Sequence, residues 1–174
     1  FTQLYFDHGT SPENEGYAYV LLPSSTREET EAYAARPEIE VVCNTDNIQA
    51  VRETGLRVMG INFWQAGQVD DIGCDAPAAV MVREDKGMLY VSLADPTWKQ
   101  TSVRLSLAGS YRMSGENVRV RLEANGDRTD VVFDVTDRMG QCIEVSLADN
   151  DYSGLDEGRD DGPVYVWERG LSLI

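Results

Sequence analysis

One histidine, His8, stands in a chain of 174 residues, so any imidazole chemistry near neutral pH must pass through it. It lies in Asp7-His8-Gly9-Thr10-Ser11-Pro12, where Gly9 and Pro12 mark a turn. Two readings compete: a substrate-binding or proton-transferring imidazole, or a side chain that holds the turn through hydrogen bonds to nearby backbone. No nucleophile or carboxylate partner is recognisable beside it, which favours the turn.

The other stretch with chemistry of its own is near the tail. Residues 149–160 follow part of the oxygen-ligand spacing of a calcium loop, with Asp149, Asp151, Ser153, Glu157 and Asp160 at the first, third, fifth, ninth and twelfth positions and Gly154 at the sixth. Asp156 falls where an apolar residue is usual, Asp160 is shorter than the usual glutamate, and both flanks read as strands instead of helices. The competing reading is an acidic surface loop. No cofactor is otherwise called for, and calcium is the one ion the pattern would suit.

Three arginines, Arg104, Arg119 and Arg121, are spaced to face one side of neighbouring strands. There they would either contact glycan carboxylates or sulfates or pair across strands with Glu123, Asp130 and Asp134. The acids on adjacent strands favour the second. Trp64 would suit a sugar-stacking platform, but its place beside Ile61 and Phe63 in an apolar run argues for the core. Cys43, Cys74 and Cys142 make an odd count, which leaves at least one thiol unpaired within the chain. Cys43 reads as a buried free thiol, and a bridge from Cys74 to Cys142 is compatible with the spacing without being required by it. There is no GxSxG elbow, phosphate-binding glycine loop, HExxH helix or Cys/His zinc pattern.

The elements that would position these groups are mostly strands. Residues 1–7 and 17–22 read as strands around the His8 turn, the second an aromatic and branched run suited to burial. Ser25-Thr26-Arg27-Glu28 is a capping box, with Ser25 as cap, and a short Glu- and Ala-rich helix near residues 26–35 should end before Pro37. Strands follow at 39–43, 48–53, 57–64, 78–83 and 88–94, where Gly60 signals a bulge or a close backbone approach. At 103–107, 118–123, 129–135 and 143–147, apolar and polar residues alternate, so each strand has one wet face. Asn125-Gly126 is a hairpin signal, and residues 163–167 resume a strand. Such a series makes an all-β chain, an antiparallel β-sandwich with one short helix.

The turn motif, the run Tyr17-Ala18-Tyr19-Val20-Leu21-Leu22-Pro23, residues 25–35, Asn47-Ile48-Gln49-Ala50-Val51 and Asn62-Phe63-Trp64 occur in an order that resembles the carboxy-terminal β-region of the family 8 polysaccharide lyases. The likeness runs from about residue 5 to about residue 107. Members of that family cleave hyaluronan, chondroitin or xanthan by β-elimination. The resemblance implies that an Asn, a His, a Tyr and an Arg on a preceding α-helical toroid perform the chemistry. No segment here reads as part of that toroid, and the opening on Phe1 reads as a piece of a longer polypeptide.

The resemblance therefore implies a non-catalytic role. Residues 1–37 would be the final strands of the parent's central β-domain with a linker helix, and residues 38–174 the carboxy-terminal sandwich. The partners would be the preceding catalytic domain and, through the parent enzyme, an acidic polysaccharide outside the cell. Two alternatives are an autonomous carbohydrate-binding module and a calcium-stabilised structural sandwich.

The charge balance is consistent with that role. Fifteen basic against thirty acidic residues give a formal net charge of -15, which argues against nucleic acid and against a broad cradle for a polyanion. No apolar run approaches the ~20 residues of a membrane-spanning helix.

Overall fold

The computed structural model describes residues 5–150. The chain passes through α1 (Arg27–Ala35) and then β1 (Ile39–Asn44), β2 (Ile48–Glu53), β3 (Val58–Phe63), β4 (Gly67–Val69), β5 (Ile72–Cys74) and β6 (Ala78–Asp85). It continues through β7 (Met88–Ala94), β8 (Ser102–Ala108), β9 (Tyr111–Met113), β10 (Val120–Asn125), β11 (Arg128–Asp134) and β12 (Ile143–Asp149). A seven-stranded sheet in the order β1-β2-β3-β6-β7-β12-β9 packs on a five-stranded sheet in the order β10-β11-β8-β5-β4. All the pairings are antiparallel, so the fold is the expected sandwich.

The alternation in sequence is what fills it. Ile61 and Phe63 of β3, Val91 and Leu93 of β7, and Val145 and Leu147 of β12 meet Val103, Leu105 and Leu107 of β8 and Val131 and Phe133 of β11 in one core. Phe63, Phe133, Leu93, Leu105 and Leu147 are all but sealed from solvent, each stabilising the fold by roughly 1.5–3 kcal/mol relative to exposure. The two sheets approach closely where β4 crosses β2. A Cβ built on Gly67 would come within 2.8 Å of Ile48 Cδ1, so a side chain there would have to displace the tip of Ile48.

Three strands, β4, β5 and β9, have no counterpart in the sequence reading. Each is three residues long, too short for a period of two to show. Val118, expected on the inner face with Val120 and Leu122, is fully exposed. The chain is still turning there, with the amides of Arg119 and Val120 bonded back to Asn117. Gly60 is neither a bulge nor a contact: it keeps regular register with Val51 and Met81, and the space above it is open.

The amino-terminal segment departs further from expectation. Residues 5–7 and 17–22 form no strand, because a strand satisfies its backbone by pairing and no partner ladder lies beside them among the described residues. Phe6, Tyr17 and Tyr19 instead stack on one another, with centroids 5.1 to 6.4 Å apart, and remain more than half exposed. The helix is capped one residue later than expected. Thr26, in extended geometry, accepts from the Glu29 amide while the Glu29 carboxylate accepts from the Thr26 amide. Ser25-x-x-Glu28 and Thr26-x-x-Glu29 both satisfy the capping pattern, so sequence alone did not choose between them. No residue of α1 is buried.

Candidate functional site

His8 is about one-quarter exposed and sets its Nδ1 3.6 Å from a carboxylate oxygen of Glu15. The turn is held by its neighbour, since the Gly9 amide donates to Asp7 Oδ1 at 2.9 Å. His8 thus has a carboxylate partner that the sequence did not reveal, and among the described residues it makes no hydrogen bond to backbone. Of the proposed calcium ligands, Asp149 closes β12, its amide directed to the Gly87 carbonyl. Asp151, Ser153, Glu157 and Asp160 lie outside the described residues, as does the strand expected at 163–167. Among the described residues no cluster of three or more His, Cys, Asp or Glu is arranged to hold a metal.

The arginine stripe is neutralised in place. Arg104 Nη1 lies 2.6 Å from Glu123 and 3.0 Å from Asp130, Arg121 Nε lies 3.0 Å from Glu123, and Arg119 reaches Asp134 at 3.7 Å together with the Thr136 carbonyl at 3.1 Å. The hydrogen bond from Arg104, then that from Arg121, hold the Glu123 carboxyl below its ordinary value. A shallow depression of about 370 Å³ opens beside Arg104, lined also by Gly67, Gln68, Gly73, Cys74, Asp75 and Ser106. Its one cation is already engaged by the two acids.

All three thiols are free. Cys74 is buried and donates to the Ala76 carbonyl at 3.2 Å; burial pushes it up to about 11, so it stays protonated and unreactive near neutrality. Cys142 is exposed, and no bridge joins the two. Cys43 is half-buried, its Sγ 3.4 Å from the Ile48 carbonyl.

One feature went unread in the sequence, and a second was assigned to the wrong face. Asp95 is a buried carboxylate that accepts from the amides of Thr97, Lys99 and Gln100 and from the Thr97 hydroxyl and Gln100 side-chain amide, at 2.6 to 3.1 Å. Burial raises its pKa, but these hydrogen bonds outweigh burial and hold it well below the ordinary carboxylate value. Asp-Pro-Thr is a turn signature that would have pointed to it. The second is Trp64, which is 51% exposed and does not pack in the core. In β3 the alternation sends Ile61 and Phe63 inward, so Trp64 continues the outward series begun by Asn62. Its indole Nε1 donates to Gln49 Oε1 at 3.0 Å.

Residues 40–104 match the family model described as "Polysaccharide lyase family 8, C-terminal beta-sandwich domain". A xanthan lyase of Bacillus sp. (strain GL1) is 42% identical over 100 residues, covering 56% of this chain and 11% of that protein. A hyaluronate lyase of Thermasporomyces composti is 35% identical over 154 residues, 85% of this chain and 20% of that protein. Among solved structures, the Paenibacillus xanthan lyase superposes with a TM-score of 0.68 at 26% identity, covering 73% of this chain and 13% of that one. The chain thus spans no more than a fifth of the length of these relatives. With an all-antiparallel sandwich whose β1 to β8 contain the matched residues, the chain belongs to polysaccharide lyase family 8 and carries that family's C-terminal β-sandwich domain.

Proposed function

We propose that this chain is the non-catalytic β-portion of a secreted polysaccharide lyase acting on hyaluronan, chondroitin or xanthan, and that it supports a preceding catalytic domain and edges the substrate cleft. The observation that carries this reading is the amino-terminal surface. Phe6, Tyr17 and Tyr19 form an open aromatic stack, continued by Leu21 at 73% exposure. An exposed apolar strip of that kind marks a contact surface. The covering surface would come from the rest of the parent chain, since this chain matches only 11% and 20% of the length of the two relatives. On this reading residues 1–37 complete the edge of a β-domain that precedes the sandwich.

The test is a graft. In the xanthan lyase of Bacillus sp. (strain GL1), the region matching this chain is deleted and then replaced by residues 1–174. Deletion should abolish cooperative melting and activity on xanthan, and the graft should restore both. Replacing Phe6, Tyr17 and Tyr19 with Ser in the graft should undo the rescue. A graft no more stable than the deletion, beside a well-folded isolated chain, would contradict the supporting role.

A further inference from the structure

The outer face of the seven-stranded sheet has a composition unlike that of a solvated face. Strand register places Asn44, Gln49, Asn62, Ala79 and Ala94 in one row across β1, β2, β3, β6 and β7. The adjoining row is Val41, Val51, Gly60, Met81 and Ser92. On these five strands neither row contains an ionisable side chain; beyond β7 the second row meets Glu144 of β12, which stands opposite Ser92. Side chains directly opposite on neighbouring strands lie about 5 Å apart, so the amides of Asn44, Gln49 and Asn62 form a continuous polar line, in which Asn44 Nδ2 donates to the Tyr17 carbonyl and Gln49 Nε2 to the Thr45 carbonyl, each at 3.4 Å. Beside it Val51 and Met81 stand up on either side of Gly60, leaving a trough above the glycine, where nothing lies within 4 Å of a Cβ position.

Trp64 stands at the end of this line and is held there. Its Nε1–H donates to Gln49 Oε1, its amide donates to the Asn47 carbonyl at 2.9 Å, and the next residue, Gln65, donates from Nε2 to Asn47 Oδ1 at 2.9 Å. An indole fixed through its nitrogen keeps one rotamer and presents its ring without losing further side-chain entropy on binding. Trp64 remains half exposed although its one polar atom is already satisfied within the protein.

We infer that Trp64, with Gln49, Asn62 and the trough over Gly60, forms a carbohydrate-binding site for uncharged pyranose units, either neutral hexoses or N-acetylhexosamines. A pyranose ring carries an array of C–H groups on its faces and hydroxyls around its rim. The first suits an indole face, and the second suits side-chain amides, each of which both donates and accepts. Uronate or sulfated units do not suit it. Both rows lack a cation, and the nearest turn carries the exposed carboxylate of Asp46, which repels anions. The inference does not depend on the chain's role in a lyase.

The experiment follows the tryptophan indole N–H signals of the ¹⁵N-labelled full chain by NMR. The probes are tetraacetylchitotetraose, cellotetraose and a hyaluronan tetrasaccharide, each added up to about 10 mM. The Trp64 signal is identified by its loss in Trp64→Phe. At least one of the two uncharged probes should shift the Trp64 signal saturably with a dissociation constant of about 1 mM or below, leaving Trp98 unmoved. Trp64→Ala should weaken binding at least tenfold, and Gln49→Leu severalfold, with melting temperature nearly unchanged because neither residue is in the core. The result that would overturn the inference is a Trp64 signal unmoved by both uncharged probes, or binding that survives Trp64→Ala. Tighter binding of the hyaluronan probe than of either uncharged one would also overturn it.

Discussion

At the scale of single residues, Asp95 shows how one carboxylate sets a connection between sheets. The chain leaves β7 in one sheet and enters β8 in the other, and five hydrogen bonds to a single buried side chain organise the residues between. Its folded pKa is depressed, so it contributes stability that is fully present above the unfolded value of about 4 and is lost as pH falls through the folded one. Asp95→Asn should therefore lower stability by on the order of 3 kcal/mol near pH 7. That difference should begin to shrink as pH falls below about 4, where the carboxyl of the unfolded chain takes up a proton while the native one stays ionised. Urea unfolding of both proteins at pH 7 and pH 3 measures it; a gap of equal size at both would contradict the assignment.

The same scale shows why residue-level expectations were uneven. The arginines could be read because their acidic partners lie on strands that alternate cleanly, and the pairs formed. Trp64 was misread because its apolar neighbours were weighed without their parity: one position along a strand exchanges core for solvent. The Glu15 partner of His8 was not read because it arises from a loop with no period.

At the scale of elements, strands of six residues or more announced themselves through alternation and bounding turn residues, whereas β4, β5 and β9 are held by their neighbours and not by any pattern of their own. β5 pairs with β8 from Ile72 to Cys74, and Arg128 reinforces that edge by donating to the Ser106 hydroxyl and to the carbonyls of Ser106 and Asp71. The hairpin signalled by Asn125-Gly126 forms, with its two-residue loop one position later at Gly126-Asp127. Arg128 pairs with Asn125, and Gly126 takes φ +64, a left-handed conformation that costs a side chain about 1–2 kcal/mol. Gly126→Val should thus destabilise by about 1–2 kcal/mol or somewhat more, as branching at Cβ adds strain. Thermal melting checks it, and an unchanged midpoint would contradict the geometry. The strands expected at 17–22 failed for a different reason. Composition specifies an appetite for pairing, and the pairing partner has to be supplied.

At the scale of the whole molecule, the two ends of the sandwich differ in their aromatic surface. Asp71, Glu84 and Asp149 gather about Tyr111 at one end, while Trp64 and Trp98, the latter 70% exposed and lying against Gly140, stand at the other beside Asp46, Asp75, Asp95 and Asp134. Arg104, Arg119 and Arg121, the stripe considered for a polyanion, are occupied by Glu123, Asp130 and Asp134. The fold class and the family were legible from the order of motifs together with alternation, because both are written into contiguous segments. The surfaces proposed to meet a neighbouring domain or a sugar depend on which residues three-dimensional register brings side by side, and Asn44, Gln49, Asn62 and Trp64 become neighbours only once the sheet is formed. What such a chain does alone is tested by incubating residues 1–174, with and without calcium, with hyaluronan, chondroitin and xanthan, and recording the ultraviolet absorbance of unsaturated uronate ends. No absorbance should develop with any polymer in either condition. A steady increase that survives repurification and disappears on His8→Ala would contradict the non-catalytic account and place a catalytic site in the His8 turn.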